Sequence, residues 1–206
     1  MERYGSYSIR PVTLRTKEMI EQALPGAFDF EEKRDYEDYI YSVEELIALP
    51  GKKYHAKKNH YNSFVKNYSY TYQPITPDTA TACCEAVCRW VETRSEDPEG
   101  EKRAVRNIFE NYEMLSVTGA FLTVGNQIVA VTVGEDHHGT ALIHIEKADT
   151  DYKGVYVAIN KLFLENAFSH CMYVNREEDM GIEGLRKAKL SYQPVKLLEK
   201  YVAYPR

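Results

Sequence analysis

Three strand patterns in a row, between Gly119 and Ala148, constrain the fold of this 206-residue chain more than any other feature. Residues that favour strands fill Gly119 to Val124, Gln127 to Glu135 and Thr140 to Ala148. The dipeptide Gly125-Asn126 between the first two segments is typical of a tight hairpin turn. The sequence therefore predicts consecutive strands, the first two paired as a hairpin.

Helical patterns flank these strands on both sides. In chain order we predict a helix at about Thr16 to Leu24, strands at Tyr36 to Tyr41 and Tyr70 to Ile75, helices at Pro77 to Thr93 and Lys102 to Leu115, the three strands, and then a helix at Tyr156 to Phe168, a strand at Met172 to Asn175, a helix at Gly184 to Leu190 and a strand at Lys196 to Tyr204. This order is similar to that of the GNAT acyltransferases. We therefore predict an α/β (α+β) fold, with a GNAT-like mixed twisted sheet flanked by helices.

Composition excludes several classes of protein. With 44% hydrophobic residues the chain can bury a full core, yet no segment approaches the roughly 20 apolar residues of a membrane helix. A net charge of −5 argues against a protein that coats nucleic acid with its whole surface. The four cysteines form no C-x-x-C pair. We therefore expect a cytoplasmic protein with reduced thiols, no membrane span and no metal site.

Charge is nevertheless segregated along the chain. Leu46 to Pro77 contains five lysines and two histidines but no acidic residue, whereas acids dominate Phe28 to Glu45. A second basic cluster contains Arg186, Lys187 and Lys189. Such segregation indicates a phosphate-bearing or other anionic partner.

Most of the first basic segment forms a predicted helix, from Lys52 to Asn67. Tyr54, Tyr61, Phe64 and Val65 fall near one stripe at helical spacing, and cations and amides occupy the flanks. The candidate substrate-binding residues here are Lys53, Lys57, Lys58, Asn59, His60 and Asn62. An ordinary solvated helix face is the alternative.

Three segments resemble a known family: LPGKKYHAKKNHYNSF (49–64), HIEKAD (144–149) and YVNREEDMGIEGLRKAKLSYQPVKLLEKY (173–201). They are similar to the soluble C-terminal-like family of lysyl-phosphatidylglycerol synthase, which is GNAT-like and related to Fem-type aminoacyltransferases. The resemblance implies transfer of an aminoacyl group from aminoacyl-tRNA to a lipid head group or peptide amine, without coenzyme A.

The chain also departs from the family pattern of two GNAT-like lobes. About 45 residues precede the basic helix, too few for a complete lobe. We therefore predict a truncated remnant of a first lobe at 1–48, a basic linking helix at 49–67 and a complete GNAT-like domain at 68–206. Since a truncated lobe leaves an open sheet edge, we expect a partner or a homodimer to cover it.

Coenzyme A is disfavoured as a cofactor, although a degenerate binding loop stays open. Coenzyme A-dependent GNAT enzymes bind its pyrophosphate with an R-x-x-G-x-G/A loop before a helix. The corresponding segment here is DTDYKGV, which lacks both the basic residue and the glycine pair. Asp149 and Asp151 would repel a pyrophosphate.

The strand around His144 carries the predicted catalytic residues. Alternation places His144 and Glu146 on one face, with Ile143 and Ile145 on the other. A histidine beside a carboxylate can deprotonate an attacking amine. Lys147 and Asp149 extend this cluster, and a solvent-facing polar strand is the alternative.

The segment Asn175-Arg176-Glu177-Glu178-Asp179 follows a short apolar strand, where ligands of open α/β sheets gather. Arg176 is a candidate for binding a phosphate or carboxylate, and Glu177 or Asp179 for binding a substrate amine. We group Asn175 with them, and Arg186, Lys187 and Lys189 as further phosphate contacts. An internal salt-bridge network is the competing interpretation.

Three functions are consistent with these patterns. The first is an aminoacyltransferase that uses aminoacyl-tRNA and an amine or hydroxyl acceptor. The second is a coenzyme A-dependent N-acyltransferase. The third is a non-catalytic module that binds RNA or another polyanion.

Overall fold

The computed structural model describes residues 7–95 and 97–206 and has an α/β fold, which confirms the predicted class. In chain order its elements are β1 (Ile9–Thr13), α1 (Leu14–Ala23), β2 (Phe28–Glu32), β3 (Asp38–Ser42), α2 (Val43–Ala48), α3 (His55–Asn67), β4 (Tyr70–Pro74), α4 (Pro77–Arg94), α5 (Pro98–Glu110), β5 (Thr118–Val124), β6 (Gln127–His137), β7 (Thr140–Ala148), α6 (Val155–Ala167), β8 (Tyr173–Asn175), α7 (Glu183–Leu190), β9 (Lys196–Leu198) and β10 (Lys200–Pro205).

These elements form two compact units. The central unit is Ser42–Val174, and the terminal unit combines the described residues up to Tyr41 with Asn175–Arg206. The predicted division into 1–48, 49–67 and 68–206 rests on a comparison with family members that have two GNAT-like lobes, and it stays a prediction. The truncated first lobe likewise stays a prediction.

The central unit is a sheet with helices on both faces. Its strand order is β4-β5-β6-β7-β8, and β4 to β7 pair antiparallel. Val124 pairs with Gln127 across Gly125-Asn126, which confirms the predicted hairpin. Phe121 faces the core under α4 and α5, whereas Leu122 faces the core under α3 and α6. The alternation of strand side chains thus supplies both cores.

A β-bulge interrupts the pairing of β6 with β7. Val133 pairs with Ile145 but Gly134 pairs with Ile143, so His144 is the extra residue of β7. The backbones approach closely here, because a Cβ added at Gly134 would lie 2.6 Å from the Leu142 carbonyl oxygen. Only glycine fits this position of β6 without displacing β7.

The terminal unit contains a three-stranded antiparallel sheet in the order β1-β10-β2. Val12, Tyr201 and Ala203 form its core, with Phe28 and Phe30 packed against them. In the same unit β3 pairs antiparallel with β9.

The strand predictions for the terminal unit missed one strand and joined two others. The sequence predicted no strand at the acid-rich segment FDFEE, but this segment forms β2, in which Phe28 and Phe30 pack on the core and Asp29, Glu31 and Glu32 are exposed. The single strand predicted at Lys196 to Tyr204 is two strands, because β9 pairs with β3 whereas β10 pairs with β1 and β2.

A buried carboxylate holds the terminal unit together. The side chain of Asp179 is fully buried, and its Oδ2 accepts hydrogen bonds from Tyr39 Oη at 2.6 Å and Arg186 Nε at 2.8 Å. Its Oδ1 accepts from Arg186 Nη2 and the Gly181 amide, both at 2.9 Å. Arg34 adds a contact at 3.5 Å. Every member of the network has a partner.

This network determines the charge state of Asp179. Burial alone would raise the pKa of the carboxyl, but the hydrogen bonds from Arg186, Tyr39 and the Gly181 amide together hold it well below its ordinary value. Asp179 is therefore ionised in the folded protein at neutral pH. Its burial favours the internal network over a substrate contact.

We predict that Gly134→Ala destabilises the protein by about 1–3 kcal/mol, because the new methyl group overlaps the β7 backbone. Urea denaturation followed by circular dichroism measures this loss. Gly184→Ala in α7 is the matched control, since a Cβ there has no neighbour within 4 Å among the described residues. Equal midpoints for Gly134→Ala and the wild type would contradict the close approach.

We also predict that Asp179→Asn destabilises the protein by about 3–5 kcal/mol at pH 7, because Arg186 loses its buried partner. Asp29→Asn is the control, since Asp29 forms an exposed pair with Arg206 that contributes about 1 kcal/mol or less. Chemical denaturation measures both losses.

The stability lost in Asp179→Asn should depend on pH. Since the pKa of Asp179 is lower in the folded state, the carboxylate stabilises the fold above its unfolded pKa of about 3.9. This contribution falls as the pH decreases from there toward the folded pKa. The stability difference between wild type and Asp179→Asn should therefore shrink below about pH 4, and an unchanged difference would contradict this account.

Candidate functional site

His144 lies at the bulge of β7 with a carboxylate beside it. Its Nε2 is 3.2 Å from Glu135 Oε1 on β6, and the imidazole is one quarter exposed. In β7, His144 and Glu146 are partly exposed, whereas Ile143 and Ile145 are buried. A bulge that re-aims a polar side chain is common beside active sites. This arrangement places a titratable base where solvent or a ligand can reach it.

A buried amide supports the second predicted residue of this strand. Asn160 on α6 is 2% exposed and donates from Nδ2 to Glu146 Oε2 at 2.9 Å. Sequence reasoning missed both Asn160 and Glu135. An asparagine directly after the apolar run VYVAI was the available signal for Asn160. No comparable signal marked Glu135, since its contact depends on the bulge.

The loop after β7 is held by its own polar groups. Arg94 Nη1 donates to the Ala148 carbonyl at 2.8 Å, and Arg94 Nη2 is 3.7 Å from Asp149 Oδ1. The same Oδ1 accepts from the Asp151 amide at 3.1 Å. A carboxylate therefore accepts a backbone N–H in the segment predicted to correspond to the pyrophosphate-binding loop of coenzyme A-dependent GNAT enzymes.

The end of this loop packs against α3. Gly154 has φ +87°, and a Cβ there would lie 2.1 Å from the His60 carbonyl oxygen. Both the backbone conformation and the space require glycine. The position of α3 is thereby fixed relative to the start of α6.

The buried side of α3 is aromatic. Phe64 is fully buried, with its ring 5.3 Å from Tyr68 and 5.2 Å from Tyr70. Burial raises the pKa of Tyr61 to about 12, so this phenol stays neutral. Val65, predicted on the buried stripe, is instead 42% exposed because it lies one position beyond the packed face.

The opposite side of α3 presents polar and cationic groups. Lys58, Asn59, His60 and Asn62 are exposed, whereas Lys57 is half-buried. Lys53, just before α3, pairs with Glu45 at 2.6 Å and lowers the pKa of that carboxyl. Further exposed cations or histidines on or next to this face are Lys52, His55 and Lys66.

In the terminal unit, the predicted residues Asn175 to Asp179 form a strained loop. Glu177 and Met180 have φ values of 57° and 53°, which are unfavourable for non-glycine residues. The Glu177 amide donates to Asn175 Oδ1 at 2.8 Å, and Lys189 Nζ donates to the carbonyls of Arg176 and Glu177. Such strain persists only where the surroundings enforce it, and it clusters at functional sites.

Arg176 is oriented by two aromatic rings. Its guanidinium lies 4.6 Å from the centroid of Tyr192 and 5.6 Å from that of Tyr41. The hydroxyl of Tyr41 donates to the Lys189 carbonyl at 3.0 Å. The loop therefore presents Arg176 in a fixed direction.

The remaining predicted residues either form internal hydrogen bonds or lie exposed at the surface. Asn175 Nδ2 donates to Asp38 Oδ2 at 2.9 Å, and Lys200 Nζ donates to Asp38 Oδ1 at 2.6 Å. Arg186 joins Asp179 to Asp35, while Lys187 is exposed. Sequence reasoning missed Arg34, Tyr39, Asp38 and Lys200.

The described part of the chain contains no helix long and apolar enough to cross a membrane.

Solved structures share this fold. A conserved protein of unknown function from Bacteroides thetaiotaomicron is 43% identical, with a TM-score of 0.90 over 98% of this chain and 70% of that one. The C-terminal domain of a protein named as a lysylphosphatidylglycerol synthetase from Agrobacterium fabrum is 13% identical, with a TM-score of 0.71 over 98% and 68%. FemX is 9% identical, with a TM-score of 0.66 over 98% and 72%. The last two likenesses concern the fold alone.

Sequence comparison gives the family. An uncharacterized protein of Mycoplasmoides gallisepticum is 25% identical over 173 residues, and this chain spans 55% of its length. The family described as phosphatidylglycerol lysyltransferase, C-terminal, matches residues 2–204. This match confirms the predicted resemblance. The chain therefore belongs to the phosphatidylglycerol lysyltransferase C-terminal family.

Proposed function

We propose that this chain transfers an aminoacyl group from aminoacyl-tRNA to an amine or hydroxyl acceptor on a lipid head group or small molecule. Family membership supports the class of chemistry. The observation that carries the proposal is the histidine at the β7 bulge, bonded to Glu135 and partly open to solvent. A transfer reaction of this type needs a base at the acceptor.

His144 would act as that base. If Nε2–H donates to Glu135, the carboxylate fixes the tautomer and Nδ1 carries the lone pair that accepts a proton. The acceptor then attacks the ester carbonyl carbon, forming an amide or ester bond while the carbonyl–ribose bond breaks. The proton taken by His144 balances the one that the departing ribose hydroxyl receives.

The other predicted residues have supporting roles in this proposal. Arg176, held over two tyrosine rings in the terminal unit, would bind a phosphate or carboxylate group. In the central unit, Glu146 would bind the ammonium group of the aminoacyl moiety. Asp149 would keep the loop after β7 in place through Arg94, rather than react.

The exposed side of α3 would contact the tRNA backbone. Lys52, Lys58 and Lys66 are exposed lysines that, among the described residues, have no ion-pair partner. Cations of this kind bind phosphates and release counterions, which makes the affinity sensitive to salt.

A coenzyme A-dependent N-acyltransferase is the second candidate function. The Asp149 carboxylate accepts the Asp151 amide in the loop where pyrophosphate would bind, which supports the view that coenzyme A is not the donor. Calorimetry with acetyl-coenzyme A tests this, and micromolar binding would reverse the order of the two candidates.

We predict that His144→Ala lowers the transfer rate by about 10²–10⁴-fold, because the acceptor loses its base. The purified chain is incubated with tRNA charged with radiolabelled amino acids and with a cellular extract of lipids and small molecules. Label transferred to the extract is counted before and after ribonuclease treatment of the donor.

His137→Ala is the matched control, since His137 is an exposed histidine at the end of β6. Its rate should equal that of the wild type. Ribonuclease-insensitive label, or equal loss in both variants, would contradict the proposal. Salt-dependent RNA binding without any transfer would favour the non-catalytic binding module.

We also predict that Lys58→Glu with Lys66→Glu weakens tRNA binding and reduces the slope of log affinity against log salt by about 2, because two phosphate contacts are lost. Filter binding over a salt series measures the slope. Arg103→Glu with Arg106→Glu on the exposed side of α5 is the control with the same charge change. Equal slopes for the two variants would place the tRNA elsewhere.

A further inference from the structure

Three side chains of different chemistry converge at one end of the β6–β7 hairpin. They are Asp136 at the end of β6, and His170 and Cys171 in the turn after α6. One potential ligand atom from each side chain lies within 4.8 Å of the other two. His170 Nε2 and Asp136 Oδ2 are 3.0 Å apart. These spacings are close to those between ligands of one metal ion.

The backbone holds the two contributing segments in register. The Met172 amide donates to the Gly139 carbonyl at 3.1 Å, which joins the turn after α6 to the hairpin. The Gly139 amide in turn donates to Asp136 Oδ1 at 2.7 Å. This second hydrogen bond orients the carboxylate so that Oδ2 faces His170. Metal sites commonly orient their ligands in this way.

Two of the three side chains are exposed to solvent and the third is buried. The side chains of His170 and Asp136 are 61% and 40% exposed, so an ion can reach them from solvent. Cys171 is 5% exposed and forms the floor of the cluster. His170 and Asp136 form an exposed ion pair, and the buried Cys171 thiol hydrogen-bonds the same Asp136 carboxylate, so all three groups meet at one point.

The ligand set selects the class of metal. Sulfur and imidazole nitrogen are poor ligands for Ca²⁺ and Mg²⁺, which prefer oxygen, but they suit Zn²⁺. Three protein ligands with a fourth position open to water are typical of zinc sites that exchange a ligand.

We propose that Asp136, His170 and Cys171 bind a zinc-like divalent cation, with Cys171 as the thiolate ligand and the fourth position open to solvent. Binding releases the thiol proton to solvent. The ion would connect the β6–β7 hairpin with the turn that leads into β8. None of these three residues is among those proposed for aminoacyl transfer, and the test of the site does not depend on that activity.

Cobalt substitution tests the site directly. The purified chain, treated with chelator and kept reduced, is titrated with Co²⁺, and the near-ultraviolet thiolate-to-cobalt charge-transfer band is recorded. We expect a saturating band with one Co²⁺ per chain, which Zn²⁺ displaces. Because this is measured on the wild type, it does not depend on the folding of any variant.

Single substitutions then assign the ligands. Cys171→Ser should abolish the charge-transfer band, and His170→Ala and Asp136→Asn should each weaken Co²⁺ binding by at least about tenfold. Cys84→Ala and His55→Ala are matched controls at other positions and should bind as the wild type does. Absence of a thiolate band in the wild type would overturn the proposal, as would a band that persists in Cys171→Ser or disappears in Cys84→Ala.

Discussion

The terminal unit depends on a single buried charge. Asp179 is ionised without solvent contact, and this is tolerable only because Arg186, Tyr39 and the Gly181 amide surround it. Those partners come from segments more than a hundred residues apart, so the carboxylate also joins the two ends of the described chain into one unit. The strained loop that presents Arg176 begins at Asn175 and ends at this anchor. The same loop therefore contains the stabilising carboxylate of Asp179 and the candidate substrate-binding residue Arg176.

The central unit positions its candidate base by a different device. One extra residue in β7 opens the strand ladder at His144, and a glycine on β6 lets the two strands stay close there. Val133 and Ile145, the pair next to the bulge, pack in the core under α4 and α5 and hold it in place. The position of the candidate base thus results from a local irregularity within a regular sheet.

Much of the fold could be predicted from sequence, because hydrophobic alternation and turn residues are local signals. The hairpin at Gly125-Asn126 is one example. Long-range partners could not be predicted in this way. Tyr39 and Asp179 are 140 positions apart, and the contact of Glu135 with His144 requires a shift of register that no single sequence reveals. The strand β2 was missed because its acidic residues resemble surface loop.

The order of strands in the terminal sheet has a consequence for biosynthesis. β10 is the middle strand, yet it begins at Lys200, whereas β1 and β2 on either side of it lie before residue 33. During synthesis both outer strands are made early and stay unpaired until β10 has been made. The central unit is contiguous in sequence and can fold before then. During that interval their apolar faces and unpaired edges are open to chaperones or to other nascent chains.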